Sequence, residues 1–329
     1  MIALVTGGGG FLGSAIVRLL CERGDTVHSF SRHRHAELDA LGVAQHRGDL
    51  ADPSAVSRAA AGCDIVFHVG AKAGVGGRYR DYYRANVTGT ANILTACRHH
   101  GIARLVYTSS PSVVFAGRDM AGVDESVPYP AHYDAAYPQT KAIAERTILR
   151  ANGPTLATVS LRPHLIWGPG DNHLIPRILA RARAGRLRRI GTESKLIDSV
   201  YIDNAAAAHL LAADRLAPGS SLGGKAYFIA QGEPVPLWDL VNGILHAAEL
   251  DPVVRSIPPR LAYGMGWLFQ IMYAVFWPHD EPPMTRFIAR ELTTAHWFDL
   301  AAARRDLDYE PKVSLKEGLH RLAIWFKSR

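Results

Sequence analysis

The chain has 329 residues, 48% hydrophobic and 20% charged, the ordinary balance of a globular protein with a sizeable core; its length suits two structural units, or one large α/β unit with a second lobe. The 37 basic and 30 acidic residues give a formal charge of +7, an excess that suits anionic ligands or an anionic membrane surface, but runs such as "RLRR" at 186–189 are short and argue against nucleic acid. Three cysteines, Cys21, Cys63 and Cys97, form no C-x-x-C pair and leave no closed disulfide framework, and the fifteen histidines lack any spacing suited to a metal.

"MIALVTGGGG" places no basic stretch ahead of a long apolar run, so the expectation is that no signal peptide precedes the first strand. "IALVT" (2–6) reads as a buried strand. After its glycines, Phe11, Ala15, Ile16, Leu19 and Leu20 recur at helical spacing, and Gly24 stands where that helix would stop. "TVHSF" (26–30) and "AQHRG" (44–48) predict the next strands, with a helix near "AELDALG" between them. At 52–62, Asp52 is a predicted N-cap and Pro53 takes the first helical position. Strands follow at 64–70, 104–110 and 156–163, with helices near 81–99 and 137–151. Strand and helix alternate through short loops, which predicts a Rossmann doubly wound parallel sheet of the α/β class over 1–165. Beyond it the alternation weakens, with helices near 173–184, 204–216 and 236–250 and a strand at 225–231, so 166–329 is read as a smaller C-terminal substrate lobe.

Gly7, Gly10 and Gly13 follow the first strand directly and open the first helix. A glycine turn lets the backbone approach a pyrophosphate, and a helix N-terminus favours its charge. This predicts dinucleotide binding, with Phe11 and Leu12 in the same turn. The end of the second strand carries Ser31 and Arg32, then His33 and Arg34. With no carboxylate there to take the ribose of NAD, and Arg32 placed to face a 2′-phosphate, NADP(H) is favoured over NAD(H). Asp49, followed by Leu50 after the third strand, is placed near the adenine.

In "AAYPQTKAIAE", Tyr137 and Lys141 stand four apart on a predicted helix and so share a face. Together with "TGGGGFLG", "GDLAD", "ANVTGTANILTAC", "VYTSSPSVVFAG" and "LRPHLIWGPGD", this makes nearly the whole chain resemble an extended short-chain dehydrogenase/reductase of the 3β-hydroxysteroid dehydrogenase-like branch. The resemblance implies Tyr137 as catalytic acid/base, Lys141 as its partner and hold on the nicotinamide ribose, and Ser110 completing the set. It also implies Asn86 ordering the active-site helix and Pro163 lying against the nicotinamide. In chemical terms, Lys141 and the oxidised nicotinamide would both lower the phenol pKa of Tyr137, and Ser110 would stabilise charge on the substrate oxygen.

The implied reaction interconverts a 3-oxo and a 3-hydroxy group on a bulky lipid acid, either an acid branched at C2 or a 4-carboxysterol. A nucleotide-sugar epimerase or dehydratase is the rival on the same fold, although "TSSPS" has no acidic pair for removing water. A redox-sensing binding protein would not need the Tyr137–Lys141 pair. Residues 261–277 carry no charge; a helix of roughly 25 Å is short for a bilayer core of about 30 Å, so an interfacial helix, an apolar lid or a buried core or dimer helix is expected instead. The expected setting is cytoplasmic, with a peripheral contact on the inner face of a membrane and a homodimer as further expectations. Arg78, Arg80, Arg84 and His164 stand near the cleft as candidates to meet a substrate carboxylate.

Overall fold

The computed structural model describes residues 1–193, 195–277 and 280–328. In chain order the first half runs β1 (Ile2–Thr6), α1 (Phe11–Glu22), β2 (Thr26–Ser31), α2 (Ala36–Ala40), β3 (Ala44–Arg47), α3 (Pro53–Ala60) and β4 (Ile65–His68). Next come α4 (Tyr79–Tyr82), a π-helical turn (Tyr83–Thr88), α5 (Gly89–His100), β5 (Arg104–Thr108), β6 (Met120–Val123), α6 (Ala136–Arg150) and β7 (Ala157–Pro163). Asp52 caps α3 as expected, its carboxylate accepting from the Ser54 and Ala55 amides.

Seven strands form one parallel sheet in the order Lys225–Ile229, β7, β5, β4, β1, β2, β3. Both faces are buried, so successive side chains serve different layers. Ala3, Val5, Ile65, Phe67 and Val106 pack in the cluster that includes α1. Leu4, Val66, Leu105 and Tyr107 pack with α3 and α5 on the other face.

The boundary placed at residue 165 is crossed twice. Lys225–Ile229 returns to pair with β7, and the Ile202–Arg215 helix packs against α1. The strand at 225–231 was legible, but its partner was not, because a parallel neighbour leaves no local signal. A second sheet in the order Val235–Pro236, Leu196–Ile197, His296–Phe298, β6 ties the later chain to the loop after β5. The uncharged 261–277 segment is helical over Pro259–Phe276, and no helix among the described residues is long and apolar enough to cross a membrane.

Candidate active site

The strand order reverses between β1 and β4, so a crevice opens at their carboxyl ends. The glycine turn forms its floor. Gly7 has φ +69°, and a Cβ there would lie 2.9 Å from Gly70 Cα; a Cβ on Gly13 would fall 2.1 Å from the Gly7 carbonyl oxygen. Gly10 stands at the N-cap of α1, which has no side-chain cap and no acidic residue in its first turn. The first amides of α1, among them those of Phe11 and Leu12, are therefore left to face an anion. The closed approach and the free amides fit a pyrophosphate.

His68 joins the two strand ends. Its Nδ1 lies 2.8 Å from Thr6 Oγ1 and its Nε2 3.0 Å from Thr90 Oγ1, and burial lowers its pKa to about 3. It is a neutral bridge between layers. Asn86, in the π-helical turn, clamps the next loop: its Oδ1 accepts from the Lys72 amide at 2.7 Å. Its Nδ2 donates to the Lys72 carbonyl and to Thr140 Oγ1, both at 3.0 Å. The sequence predicted one continuous helix here; the wider turn swings Asn86 inward between that loop and α6.

Ser110, Tyr137 and Lys141 converge at the ends of β5 and α6. Ser110 follows β5, accepts from Ser112 Oγ at 2.9 Å and lies within hydrogen-bonding reach of the Tyr137 phenol. The ammonium of Lys141 is buried, donates to the Thr108 carbonyl at 2.5 Å and lies 4.1 Å from the centre of the Tyr107 ring. Burial lowers the Lys141 pKa to about 7, against a smaller upward pull from Glu145. Burial raises the Tyr137 phenol to about 12, opposed by Ser110. The Glu291 carboxyl closes the Arg286–Glu291 helix and is itself pushed up to about 8 by burial.

One group behind these three was missed from the sequence. Glu145 stands one turn beyond Lys141 on the same face of α6 and is fully buried. It accepts from Arg162 Nη2 at 2.8 Å and Nε at 3.0 Å, from the Tyr129 hydroxyl at 2.6 Å and from Ser160 Oγ at 2.8 Å. Burial alone would raise this carboxyl, but Arg162 outweighs it and holds it below its usual range. The pair bolts α6 to β7. The available signal was the spacing 137, 141, 145, three positions one turn apart on one helix face.

The remaining candidates are scattered around the crevice. Arg32 is exposed at the end of β2 and has no hydrogen bond or ion pair among the described residues, whereas Arg34 is held by Asp39 at 2.9 Å. Asp49 accepts from the Ala51 amide and pairs with Arg84 at 3.0 Å, so Arg84 is engaged beside β3 and not free for a substrate. Leu50 packs between Gly70 and Gly89. Pro163 is buried at the end of β7. His164 is buried edge-on to His296 and Phe298. Arg80 is exposed, and Arg78 lines a cleft of roughly 580 Å³ between the loop at 75–78 and the end of the Pro259–Phe276 helix. Tyr82 stands behind that cleft, its hydroxyl donating to the Gly76 carbonyl at 2.7 Å.

Residues 4–258 match the family described as 3-beta hydroxysteroid dehydrogenase/isomerase. The chain belongs to that family. The resemblance read from its motifs therefore holds along most of its length. Among members of the wider group, the 2-alkyl-3-oxoalkanoate reductase of Stenotrophomonas maltophilia is 53% identical over 325 residues, 98% of each chain. The protein of the same name from Shewanella oneidensis is 48% identical, covering 97% of this chain and 85% of its own. The mouse sterol-4-alpha-carboxylate 3-dehydrogenase, decarboxylating, is 34% identical over 96% of this chain and 88% of its own. In three dimensions the chain is similar to UDP-glucose 4-epimerase of Thermus thermophilus, with a TM-score of 0.75, 25% identity and 99% of each chain covered.

Proposed function

We propose that this chain is an NADP(H)-dependent oxidoreductase that reduces 2-alkyl-3-oxo acids to the 3-hydroxy acids. The observation that carries this reading is the identity of 53% and 48%, spread over 98% and 97% of the chain, to two proteins named for that activity. Relatives acting on sterols stand lower, at 34%. Free Arg32, with no carboxylate at 31–34, supports NADPH over NADH.

The glycine turn, the first amides of α1 and Arg32 would hold the cofactor, with Asp49 and Leu50 near its adenine end and Pro163 near its nicotinamide. Bound there, the nicotinamide supplies the hydride that forms the new C–H bond at C3. As the carbonyl π electrons move onto oxygen, Tyr137 gives that oxygen its phenolic proton and later regains one from solvent. A phenol raised to about 12 is protonated at neutral pH, the form that suits reduction. Ser110 donates a hydrogen bond to the same oxygen, and the Lys141 ammonium favours tyrosinate as it forms. Asn86 and the Glu145–Arg162 pair position α6 and touch no reacting atom.

Substrate choice is assigned to the lobe within 166–329, and the setting to the cytoplasmic side of a membrane, as a homodimer. The full chain is tested by following NADPH and NADH oxidation with a 2-alkyl-3-oxo acid, a 3-oxosteroid and UDP-glucose. Rapid NADPH oxidation with the branched acid alone is expected. A strong NADH preference, or turnover confined to the steroid or the sugar, would overturn the reading.

A further inference from the structure

Gly9 differs from Gly7 in the turn after β1: its φ is not left-handed, so its backbone would accept another residue. What a side chain there would meet is His35. A Cβ on Gly9 would fall 2.1 to 2.2 Å from Cγ, Cδ2 and Nε2 of that imidazole, so the ring lies where a side chain would stand. Gly8 beside it is seated on β2, its Cβ position 2.5 Å from Ser29 Oγ. His35 reaches the turn from the loop after β2. The ring therefore spans the gap between the glycine turn and the end of β2. In this fold the 2′-position of the adenosine ribose lies in that gap.

The loop that carries the ring is built. Gln45 of β3 brackets the His35 backbone, its Oε1 accepting from the amide and its Nε2 donating to the carbonyl, both at 2.9 Å. Ser31 Oγ donates to the His33 carbonyl at 2.7 Å and tightens the loop. Arg34 Nε and Nη2 each donate to Asp39 at 2.9 Å, and Gln45 Nε2 donates to it at 2.6 Å. That carboxylate is thereby neutralised, and residues 31–35, "SRHRH", contain none. The imidazole nitrogens of His35 and the guanidinium of Arg32 have no partner among the described residues. Two unpaired donors from one short loop, with the neighbouring carboxylate already satisfied, suit a phosphate monoester.

We propose that His35 is a cofactor-specificity residue: with Arg32 it holds the 2′-phosphate of NADPH, one imidazole N–H donating to a phosphate oxygen, and position 9 is glycine to seat that ring. The inference deepens the NADPH reading above and rests on it. Any residue with a Cβ at position 9 evicts the ring, so substitutions at 9 and 35 act through one contact.

The test is titration calorimetry of the full chain with adenosine 2′,5′-bisphosphate and with 5′-AMP, which differ only in the 2′-phosphate. His35→Ala and Gly9→Ala should each weaken the bisphosphate about tenfold and 5′-AMP by less than about twofold. His35→Gln keeps a donor and should recover part of the loss. The double variant Gly9→Ala/His35→Ala should bind the bisphosphate no more weakly than either single variant, because both remove the same contact. In steady state, the ratio of kcat/KM for NADPH to that for NADH should fall about tenfold in each single variant. Unchanged bisphosphate affinity in His35→Ala would overturn the proposal. So would tighter binding, the mark of a ring that only blocks the gap, or losses that multiply in the double variant. A wild type that binds the bisphosphate no more tightly than 5′-AMP sinks the NADPH reading as well. A wild type that prefers the bisphosphate, with that preference intact in His35→Ala, sinks the inference alone.

Discussion

Lys141 is the residue for which folding and function make opposite demands. It is 2% exposed, with one hydrogen bond to the Thr108 carbonyl and the Tyr107 ring beneath it. Burial lowers its pKa from the ordinary 10.5 to about 7. For a base lowered on folding, the unfolded chain holds the proton between the two values and the folded chain does not. Stability therefore rises with pH across that window, and the full penalty applies below about 7. Integrated between about pH 6.5 and about pH 9.5, the lysine's contribution improves by about 3 kcal/mol. Lys141→Met removes the titration and keeps most of the volume. Urea unfolding of wild type and variant across that range should show the Met variant's advantage shrinking by about 3 kcal/mol as pH rises. Because only the change with pH is read, differences in packing between Met and neutral Lys cancel. A stability difference that stays flat with pH would refute the argument that Lys141 is held buried against its charge. Activity should be lost in the same variant, separating what the fold prefers from what the reaction needs.

Three further outcomes follow from the site. Glu145→Ala strands the Arg162 guanidinium and should cost about 3–5 kcal/mol in urea unfolding, and adding Arg162→Met should recover a large part of it. Gly13→Ala drives a methyl group to 2.1 Å from the Gly7 carbonyl, and NADPH fluorescence titration should show binding weakened at least about tenfold. Arg32→Gln should raise the KM for NADPH by about ten- to a hundredfold and leave that for NADH nearly unchanged; equal effects on both would remove Arg32 from the cofactor.

Much of this site was readable because its signals are local. The glycines at 7, 10 and 13 sit beside one strand and one helix, and Tyr137 and Lys141 share a helix face. Glu145 lies on that same face but reads as a solvated helix charge until Arg162, seventeen residues on in β7, is seen to meet it. Asn86 was expected to order the active-site helix, yet the π-helical turn that aims it has no marker in the sequence. The parallel pairing of Lys225–Ile229 with β7 is likewise non-local, so a boundary at 165 cut through the sheet layer.

The account stands most directly on Tyr137 as proton donor to a branched 3-oxo acid. The deciding measurement is NADPH consumption and 3-hydroxy acid formation, by mass, from a synthetic 2-alkyl-3-oxo acid with wild type and Tyr137→Phe. One hydroxy acid per NADPH is predicted for the wild type, with a fall of about 10²–10⁴ in kcat for the variant and cofactor binding retained. A variant that turns over at the wild-type rate, or a wild type that leaves the acid unreduced, would contradict it.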